Sequence, residues 1–66
     1  MKVLKLNKDI FSKEQLISAK KAYLPIAKIH ITENNKYWLC YFSKCKYDID
    51  TTIHEFDNYM INSMNL

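Results

Sequence analysis

The sequence contains no glycine and no arginine, and its 66 residues include one proline and two cysteines. Without glycine, glycine-rich phosphate loops, dinucleotide-binding fingerprints and nucleophile elbows are excluded. Two cysteines are too few for a disulfide framework and suit a reducing compartment. No apolar run approaches the roughly 20 residues that span a bilayer, and the start of the chain has no apolar stretch of signal-peptide length. We therefore expect one cytoplasmic domain covering residues 1–66.

A chain of this length forms one thin core, near the lower limit for folding without disulfides or metals. Such a core leaves no room for a buried catalytic cleft, so we expect neither enzymatic activity nor a cofactor. The carboxylates near residues 48–57 are better explained as helix-capping and dipole partners than as an acid and base pair.

All ten basic residues are lysines, and the formal net charge is +3. Residues 1–36 contain eight lysines and three acids, whereas residues 37–66 contain two lysines and four acids. This asymmetry predicts one basic end and one mildly acidic end, which would weakly steer a charged partner.

The first third of the chain predicts a strand followed by a helix. Residues 2–7 alternate between apolar and polar side chains, as a half-buried strand does. Ser12 and Gln15 have the spacing of a capping box, so a helix should run over 13–23. It should end before Pro25, because proline disfavours the helical conformation of the residue before it.

The remaining chain predicts a hairpin and a second helix. A strand over 26–32 is followed by 33–36, where two asparagines would tolerate the positive φ of a tight turn. The stretch 37–42 is a third strand, and 43–50 reads as a loop. Asp50 or Thr52 should cap the second helix.

These elements predict an α+β fold with the order β-α-β-β-α. A right-handed crossover leaves room for the third strand between the other two, giving the sheet order 1-3-2 with both helices on one face, a truncated ferredoxin-like arrangement. The central strand then has one residue set under the helices and one on the open face. The sequence leaves open whether the buried set is Tyr37/Leu39/Tyr41 or Trp38/Cys40/Phe42.

An open aromatic face and an unpaired outer edge on the first strand both favour association with a partner. That partner is expected to be a protein or a peptide, and a homodimer is also possible in this arrangement. The predicted contact surface combines the edge of strand 3–7, the aromatic strand and the first helix. Its candidate residues are Val3, Lys5, Lys28, His30, Tyr37, Trp38, Tyr41 and Phe42.

A zinc site from His30, Cys40, Cys45 and His54 is a weaker reading. Cys40 lies within a strand and His54 in a distant helix, whereas structural zinc sites take their cysteines from one tight turn. Cys40 is better explained as a packed apolar side chain, and no metal site is expected.

Nucleic-acid binding is the main rival. An aromatic central strand flanked by Lys5, Lys28 and His30 is similar to the strand on which RNA-recognition motifs stack bases. The absence of arginine and glycine opposes this reading.

Five short segments are typical of a known family: Ile10–Leu16, Ala19–Tyr23, Ile29–Ile31, the strand with Trp38 and the helix with Phe56. They resemble segments of HxsD-like proteins, which are small proteins of His-Xaa-Ser peptide-maturation systems. The resemblance implies a non-catalytic accessory protein that binds a radical SAM enzyme or its precursor peptide. We therefore expect a peptide-recognition adaptor. The alternatives are nucleic-acid binding and a small phage-type inhibitor that docks on a host enzyme.

Overall fold

The computed structural model describes residues 2–64. Three strands form one sheet in the order β1-β3-β2, and both neighbouring pairs are antiparallel. The predicted β-α-β-β-α order and 1-3-2 sheet are confirmed. The elements are β1 (Lys2–Asn7), α1 (Lys13–Ala22), β2 (Lys28–Glu33), β3 (Tyr37–Ser43) and α2 (Ile49–Ser63).

Helix α1 begins as its sequence predicts. The Gln15 N–H donates to Ser12 Oγ over 3.1 Å, and the Ser12 N–H donates to Gln15 Oε1 over 2.8 Å. These reciprocal bonds satisfy two donors that a helix start leaves unpaired. Phe11 before the cap and Leu16 after it are both buried, which fixes the helix against the sheet.

Helix α2 begins earlier than predicted. Its N-cap is Asp48, whose carboxylate accepts from the Thr51 N–H over 3.0 Å, so neither Asp50 nor Thr52 is the cap. Thr52 is instead buried, with its hydroxyl donating to the Asp48 carbonyl over 2.8 Å. Thr52 lies one turn before Phe56 on the buried side of α2, because threonine can bury its methyl group while its hydroxyl bonds to the preceding turn.

The turn between β2 and β3 does not use positive φ at its asparagines, contrary to the prediction. Asn34 Oδ1 accepts from the backbone N–H groups of Lys36 and Tyr37 over 2.9 and 2.8 Å, forming a side-chain-stabilised turn. Within residues 2–64, only Lys44 has a positive φ, at 50°. A lysine in this left-handed region costs roughly 1–2 kcal/mol that glycine would avoid.

The core lies between the sheet and both helices. Phe56 of α2 is fully buried and meets Phe42 of β3 edge to face at 5.3 Å between ring centroids. Tyr23, at the end of α1, contacts Phe56 in the same manner at 5.1 Å. This aromatic chain joins the three parts of the fold, and each such pair adds about 0.5–1.5 kcal/mol beyond burial. Across the described part of the chain, neither helix has the length and apolar character needed to cross a membrane.

Candidate interaction surface

The register of β3 settles which aromatic set is buried. Trp38, Cys40 and Phe42 face the helices, with exposed fractions of 9%, 0% and 1%. Tyr37 and Tyr41 alternate with them and are half-buried on the opposite, open face. Leu4 and Leu6 of β1 lie opposite Cys40 and Trp38, so the apolar faces of the strands coincide.

Two predicted contact residues therefore lie in the core. The Trp38 indole N–H donates to the Phe11 carbonyl over 3.0 Å, and the Lys8 ammonium lies 4.8 Å from the ring centroid. Phe42 packs against Phe56. Because both rings pack on the helix side of the sheet, Trp38 and Phe42 do not belong to a contact surface on the open face.

The other predicted residues share the open face of the sheet. Tyr41 lies between Val3 on β1 and His30 on β2 in one row across the strands. Lys5 lies opposite Leu39, with its ammonium 5.9 Å from the centroid of the Tyr37 ring. We call this surface the open face; its residues are Val3, Lys5, Asn7, Lys28, His30, Thr32, Tyr37, Leu39, Tyr41 and Ser43.

The open face is basic, because it carries Lys5 and Lys28 and none of its described residues is acidic. Lys28, His30, Tyr41 and Lys44 line a shallow concavity of about 550 Å³ at one end. Sequence reasoning had not placed Lys44 in this group. Lys44 lies there because the chain leaves β3 with a positive φ at this residue. Positive φ is uncommon for lysine, so the sequence did not indicate this conformation.

The outer edge of β1 carries free backbone groups. The Lys8 N–H donates to the Lys36 carbonyl over 3.0 Å just beyond the β1–β3 ladder. In an antiparallel ladder, hydrogen-bonded pairs alternate along the strands. Lys8 and Lys36 continue the register in which Lys2 faces Phe42, so even-numbered β1 residues bond to β3. Val3 and Lys5 therefore direct their N–H and C=O groups outward, where no strand within residues 2–64 pairs with them. The Asn7 carbonyl is not free, because it accepts from the N–H groups of Ile10 and Phe11 over 3.1 and 3.0 Å.

Cys40 and His30 lie on opposite sides of the sheet. Cys40 is buried on the helix side, whereas His30 projects from the open face. Burial raises the pKa of the Cys40 thiol to about 11, which keeps it protonated and unreactive. Among residues 2–64, no three His, Cys, Asp or Glu side chains are close enough to hold a metal ion.

Two exposed ion pairs tie β1 and its following turn to other elements. Lys8 pairs with Glu33 at the end of β2, and this hydrogen bond lowers the pKa of the Glu33 carboxyl. Lys2 pairs with Asp50 of α2 over 2.7 Å, which raises the pKa of Lys2. Exposed pairs of this kind contribute little to stability because water and salt screen them.

Comparisons of the chain with models of protein families, with curated proteins and with solved structures find no match.

Proposed function

We propose that the protein is a non-catalytic recognition module that binds a protein or an extended peptide in the cytoplasm. The observation that carries the proposal is the outer edge of β1, where Val3 and Lys5 present backbone donors and acceptors beside the open face. An extended segment can pair with such an edge as an added strand, while alternate side chains contact the neighbouring face.

The open face supplies contacts that would give such an interaction specificity. Tyr37, Leu39 and Tyr41 form an apolar line along β3, and Lys5 and Lys28 flank it. Tyrosine offers a large contact area together with a hydroxyl group, which makes it common at the centre of interfaces. The resemblance to HxsD-like proteins supports a more specific proposal, in which the partner is a precursor peptide or a radical SAM enzyme of a peptide-maturation system.

Selection of binders from a displayed library of random peptides tests the proposal. We expect enriched sequences whose affinity falls at least severalfold in Lys5→Pro, because proline removes one outward N–H. Lys5→Ala is the matched control, since it removes the same side chain and keeps the N–H. Tyr41→Ala should weaken binding through the open face. Failure to enrich any peptide would refute the function, whereas binders indifferent to Lys5→Pro and Tyr41→Ala would refute the surface.

Single-stranded nucleic acid is a second candidate ligand, favoured by the absence of acidic side chains among the described residues of the open face. Tyr37 and Tyr41 would stack on bases while Lys5 and Lys28 met phosphates. This candidate predicts that the affinity for a labelled oligouridine falls steeply with salt. Lys28→Glu should abolish binding, and Lys20→Glu on α1, away from this face, is the control. No binding at low salt would eliminate the candidate.

A further inference from the structure

The second sheet edge, along β2, also carries free backbone groups. The Asn34 N–H donates to the Tyr37 carbonyl over 3.0 Å, continuing the register in which Lys28 faces Ser43. Even-numbered residues of β2 therefore bond to β3. Ile29, Ile31 and Glu33 direct their N–H and C=O groups outward, and no strand in the described part of the chain pairs with them.

An apolar groove runs beside this edge. The groove has a volume of about 380 Å³ and lies between α1 and the end of β2. Leu16, Ile31 and Trp38 are among its apolar lining residues. Ile17 and Leu24 also line it and are 41% and 69% exposed, which is high for large apolar side chains. Side chains from a strand added to β2 would reach this groove on the helix side of the sheet.

The charge around the groove indicates what kind of strand fits it. Lys13, Lys20 and Lys21 of α1 line it, and its one acidic lining residue, Glu33, is already paired with Lys8. A second copy of this chain docked symmetrically would bring these lysines toward each other, which opposes self-association. An acidic segment is attracted instead, because Lys28 adds a further positive charge beside the same edge on the open face.

We infer that the edge of β2 and the adjoining groove bind an extended peptide in which apolar residues alternate with acidic ones. The peptide adds as an antiparallel strand, with its backbone bonded to Ile29, Ile31 and Glu33. Its apolar side chains enter the groove, and its acidic side chains lie beside Lys28 and His30 on the other face. The inference rests on the proposed function of peptide recognition and assigns it a second edge with a stated ligand chemistry.

The test uses the intact protein and a displayed library of end-blocked peptides about as long as β2, with apolar residues at alternate positions and all residues allowed between them. We expect acidic residues to be enriched at the variable positions. The affinity of the selected peptide, measured by fluorescence anisotropy, should fall about tenfold or more in Ile17→Asp. Ile61→Asp is the matched control, because Ile61 is similarly exposed, at 46%, but lies on α2 and not in the groove.

Backbone pairing is tested on the peptide itself, so the protein fold is unaffected. N-methylation of the amides of the apolar residues should abolish binding, because in antiparallel addition these residues bond to Ile29 and Ile31. N-methylation of the intervening amides should be tolerated. Equal effects of the two modifications would overturn strand addition to β2.

The outcomes separate this inference from the proposed function. Binding that is lost in Lys5→Pro but unchanged in Ile17→Asp places the peptide on β1, which overturns the inference and leaves the function standing. Enrichment of basic residues overturns the predicted ligand chemistry. No binder from this library or from the random library refutes both.

Discussion

Proline substitutions at neighbouring positions of β1 should have opposite consequences for folding. Leu4 lies opposite Cys40 in a hydrogen-bonded pair, whereas the backbone groups of Lys5 face outward. Proline has no N–H. Leu4→Pro therefore removes a bond of the β1–β3 ladder, and Lys5→Pro removes a donor that has no partner strand within residues 2–64.

The magnitudes differ by more than experimental error. Leu4→Pro leaves the carbonyl of Cys40 without its donor, which costs about 1–3 kcal/mol. It also loses packing of the partly buried Leu4 side chain against the core, worth about 1–2 kcal/mol. The total of about 2–5 kcal/mol compares with about 3–10 kcal/mol for the whole stability of a chain of this size. Lys5→Pro, at an exposed edge position, should cost less than about 1 kcal/mol.

Urea unfolding followed by far-ultraviolet circular dichroism measures these differences. Leu4→Ala and Lys5→Ala are the matched controls, so that the difference between proline and alanine at each position isolates the backbone effect. Amide hydrogen exchange provides an independent readout: the N–H groups of Val3 and Lys5 should exchange much faster than that of Leu4. If Lys5→Pro destabilises the fold as much as Leu4→Pro, the edge of β1 is not free and the proposed binding mode is wrong.

Three further predictions concern the core and the helix cap. The fluorescence of Trp38 should be blue-shifted at every dilution, because its burial is within one chain; a red shift on dilution would contradict this. The Thr51 N–H lowers the pKa of Asp48 below its usual 3.8, so the cap stabilises the fold above that pH and the contribution is lost as pH falls through the lowered value. Asp48→Asn should therefore make the fold less sensitive to low pH, as followed by circular dichroism, and should keep the free energy of unfolding at neutral pH. Asp48→Ala should lower the free energy of unfolding at neutral pH. With a thiol reagent at mildly alkaline pH, the partly exposed Cys45 should react well before the buried Cys40, whose pKa is about 11; equal rates would contradict the burial of Cys40.

Local sequence chemistry was sufficient for α1 and for the order of elements. The Ser12 and Gln15 side chains act on backbone groups within one turn, so their spacing alone predicts the helix start. The start of α2 was predicted too late because aspartate and threonine are both good caps, and two of each occur between residues 48 and 52. The hairpin turn was predicted in the right place but with the wrong backbone conformation, since asparagine stabilises turns in two ways.

The sequence predicted several residues of the open face but not the groove on the other side of the sheet. Val3, Lys5, Lys28 and His30 lie on the open face because their strands alternate clearly between apolar and polar residues. The first helix was expected to contribute to the contact surface, and that remains a prediction. Its groove with β2 was not predicted, since the groove depends on how far the helix lies from the edge of β2.

The sequence by itself determined the five elements, their order and the apolar sides of β1, β2 and both helices, because each depends on periodicity or on contacts within a few residues. It could not determine which side of β3 packs under the helices, because both alternating sets of its side chains are apolar or aromatic. Tertiary structure decided this through register: Trp38 lies opposite Leu6 and Phe42 lies opposite Ile29, so these rings join side chains that already face the helices. Tyr37 and Tyr41, whose hydroxyl groups would be costly to bury unpaired, lie on the face that the helices leave open.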